Sequence, residues 1–299
     1  MVDHQRARDT PGAGEHPQTV PSAASSSPGS TRDHHPAPAP DVVARLRAAG
    51  CVFAEDEARL LVDNARSPAE LADMVARRVA GLPLEHVLGW AEFAGLRIAV
   101  DAGVFVPRRR TELLAREAAA AAAPLVVVEL CCGTGAVGVA VAAAVPGVEL
   151  HVADVEPAAV RCARRNVEAA GGRVYEGDLD APLPSTLLGR VDVLVANAPY
   201  VPTDSVGLMP PEARLHEPLV ALDGGPDGLE VQRRIAAAAP RWLAPGGHLL
   251  IETSERQAEH TAAAMRSAGL VPRLVQDADL DATVVIGAAP TCTNGTPVP

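Results

Sequence analysis

Hydrophobic positions follow two rhythms along this chain. Between residues 41 and 82 they recur three and four apart, the spacing of one face of a helix. Three short helices are predicted there: Asp41–Gly50, with Asp41 as N-cap and Gly50 as stop; Asp56–Ala65; and Ser67–Ala80, ended by Gly81. In the third, Ser67 caps, Pro68 occupies the first turn and Glu70 completes a capping box. From Leu125 onward the rhythm changes to short, unbroken, β-branched runs alternating with amphipathic stretches. The runs predict strands at Leu125–Leu130, Glu149–Val155, Arg173–Gly177, Val191–Ala196 and Gly247–Thr253, followed by a final pair at Val271–Val275 and Ala282–Ile286. The stretches between predict helices at Ala136–Ala144, Pro157–Ala170, Leu229–Leu243 and Glu255–Ala268. Alternating βα units make an α/β fold with a parallel sheet, and a closing strand pair on a short connection adds an antiparallel edge.

The remaining segments set the domain organisation. Residues 1–40, rich in Pro, Ser, Ala, His and Gly, have no apolar period and are expected to be a disordered tail. Residues 41–82 form a helical domain suited to substrate recognition. Residues 83–107 form a β-hairpin linker, Ala91–Phe93 against Leu96–Val100 with Ala94-Gly95 at the turn. Pro107 opens a helix running to Ala122, and the α/β domain spans 108–289 with a loop over 200–228; residues 290–299 are expected to fray.

Composition narrows the chemistry. Hydrophobic residues make up 48% of the 299, but aromatics only 2%, so the core is built from Ala, Val and Leu. The 26 basic residues are all arginine, which excludes a Walker-type phosphate loop and a Schiff-base lysine. The formal net charge of −11 makes nucleic acid a poor default partner. Cys51, Cys131, Cys132, Cys162 and Cys292 show no C-x-x-C spacing, so they read as reduced, cytoplasmic thiols with no metal bound. His34-His35 reads as part of a solvated tail. No signal peptide and no membrane span is recognisable, and a monomer is expected.

Two stretches carry candidate chemistry. Gly133-Thr134-Gly135-Ala136-Val137-Gly138 matches G-x-G-x-x-G, follows a strand and opens a helix, with Asp154 about 20 residues on to accept from ribose hydroxyls. Alone, this indicates an adenosine-containing cofactor and leaves NAD and S-adenosyl-L-methionine both open. Glu129 favours the latter, because a carboxylate there suits a cationic sulfonium or amino group and repels a pyrophosphate. Asp178, ending the third strand, is placed to accept from an adenine amino group, with Leu179 beside it. The fourth strand ends in Asn197-Ala198-Pro199-Tyr200, which has no role in hydride transfer.

Together these residues resemble the HemK/PrmC family. The resemblance rests on Glu129-Leu130-Cys131-Cys132-Gly133-Thr134-Gly135, Ala153-Asp154-Val155-Glu156-Pro157, Asn197-Ala198-Pro199-Tyr200 and Glu217-Pro218-Leu219-Val220-Ala221-Leu222-Asp223-Gly224-Gly225-Pro226-Asp227-Gly228, with Pro83-Leu84-Glu85-His86-Val87-Leu88-Gly89 and Pro107-Arg108 upstream. It spans about residues 41–288. It implies a class I methyltransferase fold with a Rossmann-like seven-stranded sheet behind a small helical domain. It also implies S-adenosyl-L-methionine-dependent methylation of a glutamine N5 in a peptide-chain release factor, a step in translation termination. On that reading Glu129, Cys131, Cys132, Gly133, Thr134, Gly135, Asp154, Asp178 and Leu179 hold the cofactor. Asn197, Ala198, Pro199 and Tyr200 form the catalytic corner, and Arg108 joins them in binding substrate.

A glutamine amide is a poor nucleophile because its nitrogen lone pair is delocalised. The Asn197 side-chain oxygen and the carbonyl of residue 198 would each accept one N–H, aiming the lone pair at the methyl group; Pro199 fixes the turn and Tyr200 stacks on the amide. No general base is required. The chain departs from the family's pattern at Ala198, where the motif is Asn-Pro-Pro-Tyr. It departs again at Arg109-Arg110, which replace a proline and an acidic residue, and at Cys131-Cys132, which replace glycine and threonine. Such departures are those of a divergent paralogue. The alternatives are methylation of an amino group on a nucleic-acid base and a non-catalytic cofactor-binding protein.

Overall fold

A computed structural model describes residues 40–121 and 126–291. The expectations for 1–39, including His34-His35, for Leu125 and Cys292, and for 292–299 lie outside the described residues.

The N-terminal part is helical, as its spacing predicts: α1 (Pro40–Ala48), α2 (Ala54–Asn64) and α3 (Pro68–Val79). Pro40 opens α1 rather than ending a tail. The capping box at α3 half-forms. Ser67 Oγ accepts the Glu70 N–H at 3.2 Å, but the Glu70 carboxylate reaches back to the Arg66 N–H at 2.7 Å and to the Arg66 guanidinium. Val42, Leu46, Ala58, Leu61, Met74 and Val75 close a small core between the three helices. The linker holds a helix that spacing did not reveal, α4 (Leu84–Leu88), because five residues are too few to display a period. Its hairpin is β1 (Trp90–Phe93) against β2 (Leu96–Ala99), antiparallel with Phe93 opposite Leu96. The turn residues Ala94 and Gly95 have φ of 50° and 74°, the left-handed pair that a two-residue hairpin needs.

Pro107 does not open a continuous helix. Arg109–Thr111 makes one 3-10 turn, and α5 (Glu112–Ala121) follows. The α/β part then runs β3 (Val126–Leu130), α6 (Ala136–Ala144), β4 (Glu149–Asp154), α7 (Pro157–Ala169), β5 (Arg173–Glu176) and β6 (Val191–Ala196). Residues 200–228 are not a plain loop. They contain α8 (Pro211–His216) between 3-10 turns at Thr203–Leu208 and Leu219–Ala221. Next come α9 (Glu230–Trp242), β7 (Leu243–Thr253), α10 (Ala258–Ser267), β8 (Val271–Asp277) and β9 (Ala282–Ala288). Strand β7 starts earlier than its Pro-Gly-Gly stretch suggests, because Leu243 pairs with Val191 before a register shift returns the pairing at Val193 and His248.

One sheet of seven strands results, in the order β5-β4-β3-β6-β7-β9-β8, parallel from β5 to β7 and antiparallel at β9 and β8. The order reverses between β3 and β6, so the crevice for a ligand opens at their C-terminal ends. Side-chain alternation decides what faces it. Val126, Val128 and Leu130 point to the α9/α10 layer with Leu194 and Ala196. Val127, Val193, Val195 and Leu250 point to the α5/α6/α7 layer. By the same period of two, Glu129, Asn197 and Glu252 belong to the α5/α6 face.

Candidate functional site

The crevice between the ends of β3, β4 and β6 is a cavity bordered by Glu129, Cys131–Thr134, Asp154, Asp178, Leu179 and Asn197–Tyr200. The structure therefore brings most of the sequence-predicted residues to one place. The turn after β3 is tight. The Gly135 N–H donates to the Cys132 carbonyl at 2.7 Å, and the Cys132 N–H donates to Ala153 of the neighbouring strand at 3.2 Å. Cys131 sits at φ 53°, a left-handed conformation that an L-side chain adopts only under strain and that glycine adopts freely. Here the departure from the resembled motif has a measurable backbone consequence.

Gly135 departs from its expected role. A Cβ on it would stand 2.5 Å from Val167 Cγ2, so this glycine lets α6 close on α7 and does not border the cavity. Gly133 holds the cavity side, its N–H donating to Asp154 Oδ2 at 2.8 Å. Asp154 uses its other oxygen to accept the Glu156 N–H at 2.9 Å, bracing the start of α7. Asp154 thus organises two turns as well as facing the cavity, and burial raises its pKa above the ordinary aspartate value.

Glu129 lies where the sheet's alternation puts it, under the first turn of α6, and is 4% exposed. Its Oε2 accepts the Gly138 N–H at 2.8 Å. Burial outweighs that hydrogen bond and pushes the carboxyl up to about 8, with nearby Asp154 adding to the rise. No cationic side chain among the described residues pairs with it. A buried carboxylate facing a cavity without a counter-ion fits a cationic ligand group.

Two expectations gain detail. Asp178 borders the cavity, and its Oδ2 is ion-paired with Arg234 at 2.6 Å, which leaves Oδ1 as the acceptor a ligand amino group could use. Arg108 stands outside the cavity itself and lines an adjoining groove, where its guanidinium donates to Glu217 Oε1 at 2.5 Å and lies over the Phe105 ring, tying the 104–108 segment to the excursion after β6. Glu217, buried, also accepts the Val106 N–H at 3.1 Å.

The tetrapeptide ends β6 at the cavity floor, with Ala198 only 1% exposed. The Asn197 Nδ2 donates to Thr111 Oγ1 at 3.2 Å, which leaves Oδ1 available as an acceptor. The Tyr200 hydroxyl donates to Glu252 Oε1 at 3.4 Å. Burial and the neighbouring Glu252 charge raise the phenol's pKa to about 12, so Tyr200 stays neutral. Thr111 and Glu252 carry no motif signal; Arg110, noted in the sequence only as a departure from the family pattern, has its Nε 3.5 Å from Glu252 Oε1. The available signal was the strand register: Glu252 follows Ile251, which pairs with Ala196 just before Asn197.

The helical part is fastened to this region. Arg78 pairs with Glu57 at 2.6 Å and with Glu212 on α8, and Trp90 Nε1 donates to Asn64 at 3.1 Å. Among the described residues no group of three metal-ligating side chains occurs, and no helix is long and apolar enough to cross a membrane.

Comparison with known proteins places this geometry. Residues 95–209 match the Methyltransferase small domain family. A release factor glutamine methyltransferase of Geobacter sulfurreducens is 40% identical over 66% of this chain and 70% of its own length. A 4-amino-L-phenylalanine/4-methylamino-L-phenylalanine methyltransferase of Streptomyces pristinaespiralis is 38% identical over 65% of this chain and 69% of its own. A solved protein-(glutamine-N5) methyltransferase (release factor-specific) of Alicyclobacillus acidocaldarius is 25% identical with a TM-score of 0.38, covering 62% of this chain and 94% of that one.

Proposed function

The chain belongs to the release factor glutamine methyltransferase family, and on that premise we propose that it methylates N5 of a glutamine side chain in a peptide-chain release factor. S-adenosyl-L-methionine supplies an electrophilic methyl group on a sulfonium. Glu129 answers the positive charge of the bound cofactor, and the Gly133 turn braced by Asp154 gives close backbone approach.

The observation that carries the reading is the tether on Asn197. With Nδ2 held by Thr111, the Oδ1 atom is left to accept one N–H of a glutamine amide. The residue 198 carbonyl accepts the second, a role that alanine fills as proline does. Tyr200, neutral and held by Glu252, offers its ring face to the amide plane. With both N–H bonds held, the lone pair points at the methyl group and reaction becomes a matter of orientation. The amide proton becomes acidic only as the new bond forms and leaves to solvent.

A second reading has one observation behind it. The Streptomyces pristinaespiralis relative, named for a free aromatic amine, is about as similar as the release factor enzyme. Methyl transfer to purified release factor, compared with 4-amino-L-phenylalanine and with RNA, separates the readings. Label on a glutamine of the release factor supports the first, and label only on the amine or only on RNA overturns it.

A further inference from the structure

A glycine turn over residues 224–228 packs against the far end of the catalytic tetrapeptide. Val201, just past it, donates its N–H to the Leu222 carbonyl at 3.1 Å and accepts the Gly224 N–H at 2.9 Å. The two main chains lie very close. A Cβ on Gly228 would overlap the Tyr200 carbonyl oxygen, and one on Gly224 would stand 2.6 Å from the Pro199 oxygen, so both positions require glycine. One side chain joins the two segments. Gln257 lies in the 3-10 turn Glu255–Gln257 that follows β7. Its Nε2 donates to the Tyr200 carbonyl at 3.0 Å and to the Asp227 carbonyl at 3.2 Å. Its Oε1 accepts the Ser254 hydroxyl at 2.6 Å, which keeps both N–H bonds of the amide turned toward the two carbonyls.

Resting on the function proposed above, we infer that Gln257 is a positioning residue: by pinning the Tyr200 main chain to the glycine turn, it keeps the Ala198 carbonyl and the Tyr200 ring aimed into the cavity. The Ala198 carbonyl accepts no main-chain N–H among the described residues, which leaves it for a substrate. A carbonyl kept open has no bond of its own to fix its direction, so its neighbours must fix it. On one side, Thr111 holds Asn197. On the other, no main-chain N–H of the described residues reaches the Tyr200 carbonyl, and Gln257 supplies the donor. Pro199 passes the restraint along, because its ring fixes φ between the two carbonyls. Tyr200 is thereby held at both ends from the C-terminal side of β7, its hydroxyl on Glu252 and its carbonyl on Gln257. Gln257 does not border the cavity, so it acts through Tyr200.

Gln257→Glu keeps the shape and the bond from Ser254 but removes both donors. With purified full-length protein and a bacterial release factor, kcat should fall roughly 5- to 50-fold, the effect of losing two hydrogen bonds that hold the corner. Affinity for S-adenosylhomocysteine should change less than about twofold. Gln257→Lys restores a donor without an acceptor and should be at least about threefold more active than Gln257→Glu. A side chain that only filled space would rank the other way, since glutamate matches the shape of glutamine and lysine does not.

One readout needs no substrate. The chain has two tyrosines, Tyr175 and Tyr200, so fluorotyrosine labelling gives two fluorine resonances, which Tyr200→Phe assigns. Tyr175 stacks on His151 in β5, at the edge of the sheet, and serves as the internal reference. In Gln257→Glu the Tyr200 resonance should shift or broaden while that of Tyr175 stays. An unchanged kcat, a Tyr200 resonance that stays in place, or movement of both resonances together overturns the clamp. If Gln257→Glu does not fold, Ser254→Ala tests the same point, because it frees the amide to rotate; it should broaden the Tyr200 signal alone and lower kcat by a smaller factor, and an unmoved signal overturns the clamp. Failure of the wild-type enzyme to label the release factor overturns the substrate reading, while the fluorine signals still decide the clamp.

Discussion

Glu129 gives the most quantitative prediction. In the free enzyme its carboxyl titrates at about 8, because burial beneath α6 outweighs the Gly138 hydrogen bond. It is neutral below that pH, yet the charge that answers a sulfonium or ammonium is the anion. Cofactor binding at lower pH must therefore expel a proton, and affinity must rise with pH toward the free-enzyme pKa. If only the anion binds, the apparent Kd scales as one plus ten raised to the difference between pKa and pH. Between about pH 5.5 and pH 7.0 this tightens binding about 30-fold, close to 2 kcal/mol. Stopping near pH 7 avoids the cofactor's own α-amino group, which titrates at roughly 7.7–8.0. Calorimetry in buffers of different ionisation enthalpy measures both quantities. About one proton should be released per cofactor bound near pH 6. Glu129→Gln keeps an acceptor for the Gly138 N–H and should bind more weakly at pH 7, with the pH dependence largely flattened. A Kd independent of pH together with no proton release would refute the assignment of Glu129 to the cationic end of the cofactor.

Other consequences follow from single contacts. Asn197→Ala should abolish methyl transfer while S-adenosylhomocysteine still binds in calorimetry; loss of both would make Asn197 a structural residue. Cys131→Gly should raise stability in urea unfolding by about 1 kcal/mol, because it relieves a left-handed backbone at φ 53°; unchanged or lower stability would show that the turn carries no strain. Arg78→Ala leaves Glu57 buried without its partner, and should cost about 3 kcal/mol in the same assay. A loss under about 1 kcal/mol would mean that water replaces the guanidinium there.

The sheet was legible because buried parallel strands read as short apolar runs bounded by glycine and proline, and Val191–Ala196 and Ala136–Ala144 emerge at their expected bounds. The glycine turn was legible because its glycines and Asp154 lie within one βαβ unit, β3-α6-β4. Short elements were not: α4 and α8 are under two turns long and too brief to show a period. Partners across the fold were equally hidden. That Asp178 meets Arg234, that Arg108 meets Glu217, and that Glu252 lies behind Asn197 depend on register and on how α9 and the excursion after β6 fold back. Gly135 shows the reverse case, a motif residue whose place was expected but whose reason is helix packing.

The departures from the family pattern now have separate meanings. Ala198 keeps the carbonyl its position is asked to supply. Cys131 places an L-residue where glycine is at ease. Arg110 puts a cation beside Glu252, the carboxylate that accepts the Tyr200 hydroxyl.

The central claim is that this chain methylates a glutamine side chain through the Asn197 corner. The most direct measurement is mass spectrometry of a purified release factor after incubation with the enzyme and S-adenosyl-L-methionine, wild type beside Asn197→Ala. One methyl group on a single glutamine with the wild type, and none with the variant, is the predicted result. An unmodified release factor, or a methyl group that appears equally with Asn197→Ala, would contradict it.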